Sequence, residues 1–282
     1  MGKLIQPLKG FTIVPAGIGA FGEVVFTDGI SLMPPNQRDC EAYGYTYDET
    51  SNTCYAYKHN TNLATVLENT NNKISGAGNR TATGTNNTYI MGENNTVNGF
   101  SRNNVVIGNN NEIVANVNNA NVFGTLGEVT ATNSIVLGGN AEGDSLGERQ
   151  TMTMIFGRQT DVGTNKASFL NNTTDSYFAV PDNTILFFHA YVVAVRVGGT
   201  AGGSVGDYAS WVERGVVINK SGTLSVSRER DAIKNSGTVT GWQPTGAILG
   251  TDFYIKVKGA ANMTIEWAST VTFTQIKTGV AL

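Results

Sequence analysis

The chain has 282 residues, with 19 lysines and arginines against 22 acidic residues, and its net charge of −3 points to neither a nucleic-acid nor a membrane-surface partner. Thirty-four glycines, six prolines and only 15% charged residues favour turns and β-structure over helices. No run of about 18 uncharged apolar residues is present, so no membrane-spanning helix is expected.

The N-terminal M-G-K-L-I-Q-P-L-K-G-F-T-I-V-P carries the lysine and apolar residues of an export signal, but Pro7, Lys9 and Pro15 break the apolar run that such a signal needs. It reads as part of the mature fold or as an attachment arm. Val24, Val25 and Phe26 before T-D-G predict a short strand entering a turn. Cys40 and Cys54 stand fourteen apart with no histidine cluster nearby, which excludes a four-ligand zinc site. A disulfide closing the loop and two reduced cysteines in a hairpin both fit. Tyr43, Tyr45 and Tyr47 alternate with Ala42, Gly44 and Thr46, placing three rings on one face of an extended strand, where they cover a small core or offer a docking or sugar platform. Leu63, Val66 and Leu67 are spaced for one short helix over 60–68.

From about residue 69 the composition changes. Twelve of the 31 residues from Gly92 to Val122 are asparagine, which by itself suggests disorder. The apolar residues are nevertheless periodic: K-I-S-G ends at Gly76, Y-I-M-G at Gly92, V-V-I-G at Gly108, N-V-F-G at Gly124, I-V-L-G at Gly138 and M-I-F-G at Gly157, at intervals of 16, 16, 16, 14 and 19. Five residues beyond the glycine a second apolar residue follows at Val97, Ile113, Val129 and Val162, with Gly143 the exception. A period near 16 with two apolar clusters predicts a β-solenoid or β-roll, one rung per repeat, with the glycines at turns that a side chain would resist. Asn94 aligns with Asn110 and Asn95 with Asn111, so asparagine ladders are expected along the outside of the stack. So thin a core predicts packing of several copies, a homotrimer being the expected solution.

From about residue 165, runs such as T-I-L-F-F-H-A-Y-V-V-A-V-R-V, W-V-E-R-G-V-V-I-N and F-Y-I-K-V-K alternate apolar and polar residues between short loops. About seven such strands predict an antiparallel, jelly-roll-like β-sandwich of about 115 residues. The expected fold class is therefore all-β, divided into an attachment region (1–60), a repetitive shaft (61–164) and a sandwich knob (165–282).

V-V-I-G-N-N-N-E-I and S-I-V-L-G-G-N-A resemble the head repeat of trimeric autotransporter adhesins, which implies a left-handed parallel β-roll assembled as a trimer. The export signal, stalk and membrane barrel of those adhesins are not recognisable. The order of arm, shaft and knob is also similar to bacteriophage head and tail fibres, including those of crAss-like phages. The ending D-F-Y-I-K-V-K-G-A-A-N-M-T-I-E-W is similar to the closing hairpin of such knobs. The resemblance implies a virion location, docking to a capsid or tail protein through residues 1–60, and adhesion of the knob to host surface glycan or protein.

No phosphate loop, nucleophile elbow or metal-binding histidine pair is found, and His189 in F-F-H-A-Y reads as a sheet residue. No catalytic, cofactor or metal site is expected, and the chain reads as a non-enzyme. The one enzymatic candidate is Glu112 with Glu128, at equivalent places in consecutive rungs, where carboxylates about 5 Å apart match a retaining glycosidase pair. Tyr208, Trp211 and Trp242 are the candidate receptor contacts, and Trp267 a core residue. The reading is a homotrimeric phage fibre that adheres to the host, with a polysaccharide-cleaving spike and a bacterial surface adhesin as alternatives.

Overall fold

The computed structural model describes residues 13–19, 22–49, 51–56, 71–139, 143–170, 176–236 and 239–282, so the helix expected at 60–68 lies outside the described residues. The chain divides into two compact units, Met1–Thr65 and Val66–Leu282. It is all-β, with a solenoid of about four turns followed by antiparallel sheets.

In the first unit, β1 (Val14–Ile18), β2 (Val24–Thr27) and β3 (Leu32–Met33) form an antiparallel sheet. Helix α1 (Gln37–Ala42) and the hairpin of β4 (Thr46–Asp48) and β5 (Thr53–Tyr55) follow. Asn36 starts the helix, its side-chain oxygen accepting from the Asp39 N–H at 3.0 Å. Gly44, at φ +77°, ends it. Tyr43, Tyr45 and Tyr47 therefore do not share one strand. Tyr43 caps the helix, and it and Tyr45 lean on Phe26 at 6.1 and 6.5 Å between ring centroids. The core is Val24, Phe26 and a Cys40–Cys54 disulfide, both cysteines fully buried.

In the second unit the period of 16 becomes stacked rungs. First strands β6 (Lys73–Ser75), β8 (Tyr89–Glu93), β10 (Val105–Asn109), β12 (Asn121–Thr125) and β14 (Ile135–Gly139) pair in parallel. Second strands β7 (Arg80–Thr81), β9 (Thr96–Val97), β11 (Glu112–Ile113) and β13 (Glu128–Val129) form a second parallel sheet. Ile90, Val106, Val122 and Val136 stack in register against Val97, Ile113 and Val129, all buried.

Gly76, Gly92, Gly108 and Gly124 have φ between +100° and +130°. A Cβ at Gly108 would lie 1.8 Å from the Gly124 carbonyl oxygen of the next rung. Asn94 and Asn110 occupy left-handed turns. The aligned Asn95 and Asn111 lie inside the stack rather than along its outside, at 0% and 1% exposure. The Asn95 side chain accepts from the Asn111 backbone N–H at 3.0 Å, and Asn111 in turn accepts from Gly127 N–H at 2.8 Å while donating to Gly124 O at 2.9 Å. An outer ladder does exist elsewhere, Asn87 to Asn103 to Asn119 at 3.2 and 3.1 Å.

The parallel stack ends at β14. Strand β15 (Arg149–Thr160) pairs antiparallel with it, so Gly157 is not a turn glycine of a further rung but a mid-strand residue opposite Ala268. Gly138 also lacks the left-handed φ, although a Cβ there would still meet Gly127 N at 2.6 Å. The free edge of β13 is covered by Gln150, whose side chain accepts from Glu128 N–H (2.9 Å) and donates to Glu128 O (3.1 Å), taking the place of a neighbouring strand.

Beyond β15 come β16 (Asn165–Ala167), β17 (Phe169–Leu170), β18 (Phe178–Ala179), β19 (Thr184–Gly198), β20 (Tyr208–Lys220), β21 (Thr223–Asn235), β22 (Gln243–Leu249), β23 (Asp252–Lys258) and β24 (Thr264–Lys277). The solenoid sheet continues without a break through β15, β24, β19 and β20 to β21. Strands β22, β23, β16 and β18 form a second sheet. The core between the layers is aromatic: Phe156, Phe188 and Phe273 each lie within 6.5 Å of Phe253. The glycine-rich 198–204 loop is organised by Arg196, buried at 2% exposure, whose guanidinium donates to the carbonyls of Gly198, Gly199, Ala201 and Gly202.

Candidate functional site

Of the predicted contact residues, only Tyr208 stands open, at 43% exposure, beside Val193, Val195 and Ala268 on the outer sheet face. Trp211 and Trp242 are core residues, at 7% and 5%, contrary to the surface role expected of them. The reason is the alternation of β20, which points Trp211 inward to stack on Trp267 at 5.7 Å, with Trp242 6.1 Å from the same ring. Glu112 and Glu128 are in register as expected, but both carboxylates are engaged. Glu112 accepts from Asn98 at 2.6 Å and Glu128 pairs with Lys277 at 2.9 Å. Among the described residues no group of three metal-ligating side chains converges.

A different carboxylate occupies the more unusual position. The inward face of β20 runs Ala209, Trp211, Glu213, and the same alternation that buries the tryptophan buries Glu213 to 1% exposure. Its Oε1 accepts from the Gly246 N–H of β22 at 2.8 Å and meets Arg228 Nε of β21 at 3.1 Å. Oε2 is buried with no hydrogen-bond partner. Gly246 permits the approach, since a Cβ there would lie 3.0 Å from the Phe188 ring. Arg230, in register with Glu213, donates to Pro244 O, to Gln243 Oε1 (3.2 Å) and to Thr245 Oγ1 (3.4 Å), tying β21 to β22.

Glu213, Arg228, Glu229, Arg230 and Thr245 line a cleft of about 310 Å³. Desolvation pushes the Glu213 carboxyl above the usual carboxylate range, opposed by the Gly246 N–H and by Arg228, Arg230 and Lys256. A buried carboxyl of raised pKa in a cleft is a recurrent mark of a functional site. Such a group can accept a hydrogen bond from a ligand or hold a proton for it. The sequence signal for it was present but small: one acid in an inward position of an alternating strand.

No protein-family model matches the sequence, and no curated protein sequence matches it. Three solved structures to which the chain shows a weak likeness are phage tailspikes. The tailspike of Acinetobacter baumannii phage AM24 has a TM-score of 0.27 at 9% identity, over 74% of this chain and 50% of that one. The tailspike of Acinetobacter phage vB_ApiP_P1 has a TM-score of 0.25 at 9% identity, over 75% and 48%. Tailspike gp49 of Acinetobacter baumannii bacteriophage Fri1, described as a capsular polysaccharide depolymerase, has a TM-score of 0.26 at 10% identity, over 75% and 48%. The chain thus spans about half the length of the tailspikes it matches. The reading of the chain as a non-enzyme is corrected by this finding, because an enzyme stands among the similar structures.

Proposed function

We propose that the chain is a structural, receptor-binding protein of a phage particle, a fibre or spike that assembles as a homotrimer and adheres to host surface polysaccharide. The first unit is its attachment region. The observation that carries the assembly is the outer face of the continuous sheet. One register row runs Met91, Ile107, Phe123, Leu137, Thr151, Thr274, Phe187, Val216, from the solenoid to the far side of the sandwich sheet. Leu137, Ile155, Phe187, Tyr191, Val193 and Ile276 on this face are each about half exposed. Taking ~150–250 Å² for a large side chain, the whole face opens on the order of 1,000 Å² of apolar surface. Summed over the face, with threonines of β15 and β24 between its apolar groups, that meets the ~800 Å² per partner of a standard interface. A stack of three copies would cover it and would present three sandwiches, so that weak single contacts add up through high effective concentration.

The polar, hydrogen-bonding lining of the Glu213 cleft suits a polyhydroxylated ligand better than an apolar one. Cleavage of the bound polymer is a second reading, favoured by Glu213 itself, since a carboxyl pushed up by burial is what a general acid in glycoside cleavage requires. Native mass measurement tests the assembly: three copies are expected, and a monomer removes the trimer from the proposal. Incubation of the full chain with a panel of bacterial capsular and surface polysaccharides, reading both retention and new reducing ends, tests the rest. Retention is expected; retention on none of them overturns adhesion, and new reducing ends establish the second reading.

A further inference from the structure

Building on the saccharide reading above, we infer that the outer face of the second sandwich sheet binds an anionic polysaccharide, its sugar rings lying on Tyr254 and Tyr177 and its carboxylates meeting Lys256 and Lys258. The strand that carries the site is β23. Phe253, Ile255 and Val257 point into the core and are fully buried, so the alternate residues Tyr254, Lys256 and Lys258 lie in line on the opposite face. This face belongs to the other layer of the sandwich from the apolar face assigned to the trimer, so three copies would keep it open.

Two observations converge on the ligand. The first is charge. Lysines two apart on one strand face stand about 7 Å from each other and repel. Among the described residues neither lysine has an ion-pair partner. Their neighbours in register are neutral: Thr245 and Ala167 flank Lys256, and Gln243 and Asn165 flank Lys258. Lys256 acts on the buried Glu213 carboxyl, but Arg228 already pairs with that group at 3.1 Å. Asp252, at the start of the strand, stands on the far side of Tyr254. An anion set across the two lysines relieves a repulsion that the fold itself leaves standing. The second observation is the aromatic surface that continues the line. Tyr177 lies 5.2 Å from Tyr254 between ring centroids, Phe169 lies 5.9 Å from Tyr177, and the Arg158 guanidinium stacks 4.7 Å from the Phe169 centroid. All three rings are part-exposed rather than sealed in the core. Contiguous rings offer flat apolar area with polar rims, which suits the C–H face of a sugar ring and its hydroxyls. A small anion would use the lysines alone, and the net charge of −3 gives duplex DNA no general attraction.

The test is biolayer interferometry of the full chain on immobilised polygalacturonate, alginate and hyaluronan, with neutral dextran and duplex DNA alongside, at ~50 and ~200 mM salt. Binding to at least one acidic polymer and not to dextran is expected, weaker at the higher salt. It should fall about five-fold or more in the double variant Lys256→Gln/Lys258→Gln and in Tyr254→Leu, which keeps the contact with the core but removes the ring. The control Lys220→Gln/Lys234→Gln removes the same charge from β20 and β21 and should bind as the wild type does. No binding to any acidic polymer, binding to duplex DNA as tight as to them, a loss in Lys256→Gln/Lys258→Gln no larger than in the control, or full binding by Tyr254→Leu overturns the inference. The two readings fail separately. Retention on bacterial polysaccharide that persists in both site variants removes this face and leaves adhesion standing, whereas binding to an acidic polymer without retention on any bacterial polysaccharide removes adhesion and leaves the face.

Discussion

Glu213 and Asn111 are both polar and both about 1% exposed, yet they affect the fold in opposite ways. Asn111 has both functional ends satisfied within the stack, donating to Gly124 O and Asn95 and accepting from Gly127 N–H. Replacing it by alanine leaves those backbone groups buried and unpaired at about 1–3 kcal/mol each. Asn111→Ala is therefore expected to lower unfolding free energy by roughly 2–4 kcal/mol, read by urea denaturation. Glu213 has one oxygen unsatisfied, and its folded-state pKa is raised by burial. Below the ordinary carboxylate pKa it is protonated in both states and imposes no charge penalty. As pH rises from there through the raised folded value the folded state holds the extra proton, so stability falls, and above that value the penalty is complete. Thermal melts of Glu213→Gln and the wild type across pH 4–8 should show the variant gaining on the wild type as pH rises. Parallel curves would remove the buried-charge account.

At the scale of elements the rung is the repeating unit, and its limits are set by backbone contact rather than by composition. Gly108 and Gly157 close the same apolar-triplet motif in the sequence but occupy different environments. At Gly108 a Cβ would collide with the Gly124 carbonyl in a left-handed turn, whereas at Gly157 the nearest contact is Trp267 O at 3.6 Å. Gly108→Ala is expected to disrupt the solenoid, costing more than ~3 kcal/mol, while Gly157→Ala should stay within ~1 kcal/mol of the wild type. Circular dichroism melts of the two variants check this. Gln150 closes the stack by hydrogen-bonding the last second-strand edge at Glu128, and Gln150→Ala leaves that edge open. In the first unit, the 14-residue loop closed by Cys40–Cys54 contributes about 3 kcal/mol by chain entropy. Reduction should therefore expose the first unit to protease while the solenoid, which contains no cysteine, keeps its resistance.

For the whole molecule, the consequence of one sheet running from solenoid to sandwich is a single outer face, apolar on the solenoid strands and on β19, with threonines of β15 and β24 between them and the Arg214–Glu229 pair at its β20–β21 edge. An assembly held by that face rests on burial of hydrocarbon, which salt does not screen. The native mass of the proposed trimer is expected to survive 1 M salt, and lysine at Phe187 and Tyr191 together should yield monomers whose melting changes little, since both side chains point away from the core. Dissociation by salt alone would instead place the interface among charged groups.

Several features of this protein were legible in the residues alone. The period of 16, the stacked apolar positions, the turn glycines from 76 to 124 and the alternating strands after 165 are local patterns, and each follows from a repeat length or a period of two. Three others required the tertiary structure. M-I-F-G at 157 looks like another rung, but the chain reverses into an antiparallel strand, and strand direction is decided by which edge is free to pair. The tryptophans at 211 and 242 look like contact residues until the second layer covers them. Glu213 reads as an ordinary charge in a strand, and becomes a buried acid facing an arginine only when β21, the return strand of the same hairpin, and β22 close over it. Periodicity is a property of one segment, whereas burial and partnership are properties of segments brought together.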